Sequence, residues 1–177
     1  MISTSLEEIP LDEWRYAWRI EQLESPLSAL DRERIRPLSV ASSKRIAGYL
    51  DATNLHGDFP FKEGFFHRIE SLALTPVDHQ DKLLKEDQKV KKWLYRRGIP
   101  FDAPVFLTYD SSTVVLTTWK MLVRHWQLFY YSISDDLTVC DHSMNWCLLF
   151  FHEHELFFGT NKTEPNKPNL RGQFENC

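Results

Sequence analysis

The stretch VFLTYDSSTVVLTTWKMLVRHWQLFYY, residues 105–131, decides the fold. Residues 105–109 and 113–118 are alternating, β-branched runs on either side of Asp110-Ser111-Ser112. Short polar side chains of that kind satisfy turn backbone groups, so the stretch reads as a β-hairpin. From Trp119 the period changes: Met121 or Leu122, His125 or Trp126, and Phe129 recur three to four apart, which predicts a helix over 119–131.

Outward from this block, the two halves of the chain differ. Towards the C-terminus come two strands, 137–140 and 146–152, joined by Asp141-His142-Ser143-Met144-Asn145. A last strand, 156–159, follows the short 153–155 bend, and the polar, proline-broken residues 161–177 read as a disordered tail. Towards the N-terminus, residues 78–97 are the clearest helix, acidic at the start, basic at the end, and closed by Gly98-Ile99-Pro100. Leu83, Val90 and Leu94, with Trp93, mark its buried stripe.

Residues 51–76 read as a long loop with a short helix near 65–72. Before it, a helix over 26–36 and a second one capped by Ser39 and running to Leu50 form an antiparallel helical hairpin, with Val40, Ile46, Tyr49 and Leu50 as apolar positions. Alternation of Trp14, Tyr16 and Trp18 predicts a short strand within 10–20. The expected fold is α+β, one domain over residues 1–160, with N-terminal helices packed on a C-terminal antiparallel sheet around one core.

Composition narrows the function. With 42% hydrophobic and 14% aromatic residues, the chain buries a core without metal or disulfide staples. A net charge of −4 argues against a general nucleic-acid or membrane-surface binder. Neither a GxGxxG nor a GxxxxGK[ST] phosphate loop occurs. The odd count of three cysteines fits reduced thiols, and the acidic start lacks the basic and apolar runs of a secretory signal, so the expected location is cytoplasmic. The longest apolar run, Trp146–Phe151, is far short of a bilayer span.

Four constellations could carry chemistry. Cys140, His142, Cys147, His152 and His154 bring metal-type ligands within fifteen residues, with Glu153 or Glu155 able to complete a two-histidine site. On one extended strand, however, Cys147 faces away from both His152 and His154, and His-Glu-His-Glu lacks HExxH spacing. A thiolate–imidazole pair of Cys140 or Cys147 with His142 or His125 is set against apolar contexts typical of buried cysteines. Lys85, Lys89, Lys92 and Arg96 share one helix face, which reads as a solvated surface opposite the apolar stripe. The fourth is acidic. From Ser132 to Phe158 there is no Lys or Arg, while Asp135, Asp136, Asp141, Glu153 and Glu155 fall at turns and strand ends. Such a rim either steers and holds a basic protein partner, with Trp146 as its aromatic anchor, or keeps an aromatic-rich sheet soluble, with Trp146 as a core residue.

The segments IPLDEWRYAW (9–18), IRPLS (35–39) and residues 105–131 together resemble a family of small, functionally uncharacterised bacterial proteins. The resemblance brings no catalytic residues. The C-terminal part, residues 132–159, is similar in style to immunity proteins of bacterial polymorphic toxin systems. That likeness implies a non-enzymatic cytoplasmic protein, without cofactor, metal, nucleic-acid or membrane partner, that neutralises a cognate basic toxin by direct binding. The alternative is a metal-dependent or cysteine-based enzyme built on the C-terminal His/Glu/Cys group.

Overall fold

The computed structural model describes residues 5–23, 25–53, 66–75, 80–132 and 134–161. A 3-10 turn, Leu11–Glu13, precedes α1 (Trp18–Glu21), α2 (Ala29–Glu33), β1 (Arg36–Pro37) and α3 (Val40–Thr53). Then follow β2 (Phe66–Ala73), α4 (Gln80–Tyr95), β3 (Pro104–Asp110), β4 (Thr113–Thr118) and α5 (Trp119–Phe129). The chain closes with β5 (Leu137–Cys140), β6 (Trp146–Phe151) and β7 (Glu155–Asn161). The seven strands form one antiparallel sheet in the order β1-β4-β3-β5-β6-β7-β2, so the fold is α+β.

Local chemistry explains the element boundaries. In the 105–131 block, Asp110 Oδ1 accepts from the Ser112 N–H at 2.7 Å and closes the β3–β4 turn. Thr118 Oγ1 accepts from the Met121 N–H at 3.3 Å and starts α5 directly out of β4. Ser39 Oγ accepts from the Ser42 N–H at the start of α3. Gly98 follows α4 with φ +71°, a left-handed turn that glycine takes without steric cost.

Side chains alternate across the sheet as strand geometry requires. Val105, Leu107, Val115, Leu148 and Phe150 face one cluster, which α4, α5 and the N-terminal residues Trp14, Ile20, Leu27 and Ile35 cover. Phe106, Val114, Leu116, Cys140 and Cys147 face the other, which Ile46 and Leu50 of α3 cover. The expected single core is therefore two apolar clusters, one on each face. Among the described residues, no helix is long and apolar enough to cross a membrane.

The hairpin, α4, α5 and β5–β7 lie where the sequence places them; four other expectations fail. The strand within 10–20 is instead a 3-10 turn and a single helical turn, because Trp14, Ala17 and Ile20 point inward three apart. The helix over 26–36 shrinks to Ala29–Glu33, since Ser28 rather than Pro26 supplies the cap, its Oγ accepting from the Asp31 N–H at 3.1 Å. No helical hairpin forms. β1 intervenes, so Leu27 and Ile35 around α2 pack on one sheet face and Ile46 and Leu50 of α3 on the other, leaving Val40 exposed. The short helix near 65–72 is the strand β2, paired with β7 through Ile69↔Gly159 and Leu72↔Leu156. The rest of the expected 51–76 loop beyond Thr53 and before Phe66, and the tail beyond Asn161, lie outside the described residues.

Candidate functional site

Asp135 is not part of an exposed acidic rim. It is 5% exposed and forms a two-pronged ion pair with the equally buried Arg19, at 2.7 and 3.1 Å. The Tyr131 N–H and Ser134 Oγ also donate to it, at 2.8 and 3.0 Å. The Arg19 guanidinium lies 4.1 Å from the Tyr16 ring centre and 4.3 Å from that of Tyr131, and also donates to the Phe129 carbonyl. Sequence reasoning missed this pair because Arg19 and Asp135 are 116 residues apart.

The other acidic positions divide. Asp141 organises the β5–β6 turn, accepting from the Ser143 N–H at 2.9 Å and from Trp146 Nε1 at 3.0 Å. Trp146 is 8% exposed, stacks on Phe158 and meets Trp119 edge-on, so it belongs to the core rather than to an exposed surface. Asp136 is exposed and accepts from the His152 N–H at 3.0 Å, with His152 Nδ1 2.8 Å from the same oxygen. Glu153 is exposed and Glu155 half-buried at the β6–β7 turn.

The histidines and cysteines do not converge. Residues 152–154 form a turn, with His154 at φ +61°, within one residue of the expected 153–155 bend, so the two histidines do not share a face of one extended strand. Among the described residues, no three His, Cys, Asp or Glu side chains gather as a metal site. Cys140 and Cys147 are buried on the α3 side of the sheet, and burial raises both thiols well above their usual range. His125 sits on the opposite side and His142 is exposed, so neither has the geometry of a partner for a buried thiol.

The structure instead assembles a cleft of about 890 Å³ between α2, α4 and α5. Its floor is Asp31, whose carboxylate is 7% exposed. Arg124 Nη1 lies 3.4 Å from Asp31 Oδ2, and Arg34 Nη1 lies 3.7 Å from Oδ1. At the neighbouring wall, Asp87 accepts from Trp126 Nε1 at 2.9 Å and pairs with Lys91 at 2.7 Å. Lys120 completes the lining as an exposed cation. Four cations against the two carboxylates give the lining a net charge of +2, on a chain whose own net charge is −4.

His125 also lines this cleft, at the point where α5 departs from helical geometry (φ −125°, ψ 33°). Its Nε2 is buried, has no hydrogen-bond partner, and lies 3.8 Å from Asp31 Oδ2. Burial, and then Arg124 and Lys91, lower its pKa from the ordinary 6.5, against the opposing pull of Asp31. The folded protein therefore protonates His125 less readily than the unfolded chain does, so this contribution to stability is present above about pH 6.5 and is lost as pH falls. Urea unfolding at pH 7.5 and 5.5 is expected to show a larger loss for the wild type than for His125→Gln. Equal losses would assign the acid sensitivity to other groups.

Nothing in the sequence pattern announces this cleft. Asp31 sits in a run of charged residues, and Arg124-His125 falls within a helical period, so only the tertiary fold joins them.

A family model described as a protein of unknown function (DUF2947) matches residues 8–159. No curated protein and no solved structure matches the chain.

Proposed function

This chain belongs to the DUF2947 family of unknown function, and we propose that it is a binding protein for a small anionic ligand held in the α2–α4–α5 cleft. One observation carries the reading: the convergence of Arg34, Lys91, Lys120 and Arg124 around the cleft, two of them tethered by the single buried carboxylate of Asp31. An arginine braced from behind loses less side-chain freedom when it grips an anion. Side chains of Arg34 and Arg124 remain 44% and 59% exposed, so most of their fork of donors faces the cleft or solvent.

Thermal unfolding in inorganic phosphate or citrate, compared with sodium chloride at matched ionic strength, tests this. Saturable stabilisation is expected, about 2.7 kcal/mol at a hundred times the dissociation constant. Arg124→Gln is expected to abolish most of that gain; because Asp31 is buried and then keeps only the longer Arg34 contact, the free variant loses some stability too, and the readout is the anion-dependent increment within each protein. An identical response in chloride, or in the variant, refutes the proposal.

A second reading, an immunity-type protein that binds a basic partner, draws on the exposed Asp136 and Glu153 and on the lack of any Lys or Arg from Ser132 to Phe158. It ranks below the cleft because Asp135, Asp141 and Trp146 are spent on internal contacts. Failure of every anion to saturate the cleft would return the weight to it.

A further inference from the structure

We infer that the cleft takes an aliphatic phosphomonoester rather than a nucleotide or a bare inorganic anion; this rests on the anion-binding reading above. Three features of the lining select this class. The first is charge. A phosphomonoester carries close to two negative charges at neutral pH, which matches the net +2 of Arg34, Lys91, Lys120 and Arg124 over Asp31 and Asp87. Its terminal oxygens also accept from two guanidinium forks at once, as Arg34 and Arg124 on either side of Asp31 require.

The second is the opposite wall. Leu23, Pro26, Leu27 and Leu30 line the cleft from the segment that leads into and forms α2. Leu30 is 64% exposed, the outward position of a leucine that finds no cover within the described fold. An aliphatic body attached to the phosphate lies against this wall, while a free phosphate leaves it wet.

The third is what the lining lacks. In a chain that is 14% aromatic, no Phe, Tyr or Trp lines the cleft among the described residues. Nucleobases are held chiefly by stacking on such rings, so a nucleotide has no platform here. His125 also lines the cleft, but its Nε2 is closed off from it, 3.8 Å from Asp31 Oδ2, and plays no part in the selection.

Isothermal titration of the full chain with hexyl phosphate, inorganic phosphate and AMP at matched ionic strength tests the inference. Hexyl phosphate is expected to bind about tenfold or more tightly than either of the others, and Leu30→Asn is expected to bring its affinity down towards that of inorganic phosphate. AMP binding as tightly as hexyl phosphate would overturn the aliphatic assignment while leaving the anion cleft standing. Equal affinity for hexyl and inorganic phosphate, or no effect of Leu30→Asn, would overturn it too. No binding of any of the three would remove the cleft reading itself.

Discussion

Asp135→Ala is expected to destabilise the protein by about 3–5 kcal/mol, the cost of leaving one member of a buried ion pair uncompensated. The guanidinium of Arg19 then keeps the Phe129 carbonyl and the neighbouring faces of Tyr16, Trp18, Tyr109 and Tyr131 but no anion, and its Nε already lacks a partner. The Tyr131 N–H and Ser134 Oγ lose an acceptor in the same step. For a chain of this length the midpoint of thermal unfolding falls roughly 2–4 °C per kcal/mol. Replacing both partners, as Arg19→Met with Asp135→Leu, is expected to recover most of the loss, because two buried charges are removed together. The single-variant loss should also hardly change between 50 and 500 mM salt, since the pair is shielded from solvent. A drop of only a degree or two, or a strong salt dependence, would mean that water reaches the pair.

Trp119→Ala is the second large effect, about 3–5 kcal/mol from transfer and cavity terms. Trp119 is fully buried at the junction of β4 and α5 and packs edge-on against Trp146, with ring centres 5.6 Å apart. Its backbone N–H also ties the start of α5 to the Ala103 carbonyl, a contact that the substitution leaves in place. Its Nε1 is buried without a partner, so Trp119→Phe removes an unpaid polar group along with some volume. Chemical denaturation should therefore place Trp119→Phe well closer to the wild type than to Trp119→Ala. Equal losses for the two would show that the whole indole volume, and not its ring-stacking part, holds the site.

What the sequence made readable follows the range of the forces involved. The β3–β4 hairpin, α5 and the β5–β7 meander are set by local alternation, by the Asp110 turn and by the Thr118 cap, all within a few residues. The strand β2 was unreadable because its partner β7 lies more than eighty residues later. The first turn of chain misled for another reason: Arg19 counts as polar in any pattern, yet it points inward to meet Asp135. The same blindness to long-range pairing made Asp135 look like surface charge and hid the cleft, whose charged floor and walls come from three separate helices. The acidic turn residues were located correctly along the chain, but hydrogen bonds to Ser143, Trp146 and His152 decide what they do.

The edge placement of β1 and β2 has a consequence for how the molecule is made. Both outer strands are synthesised before residue 75, whereas the five strands they flank all come after residue 103. On the ribosome, the N-terminal half therefore emerges as clients without a host: β1 waits for β4, β2 for β7, and Arg19 for an aspartate 116 residues downstream. At about 5–20 residues per second, that wait is on the order of ten seconds. Through it the apolar side chains of α3 and the N-terminal turn have no sheet to lie on, so nascent chains stalled near residue 100 are the species that chaperones should hold.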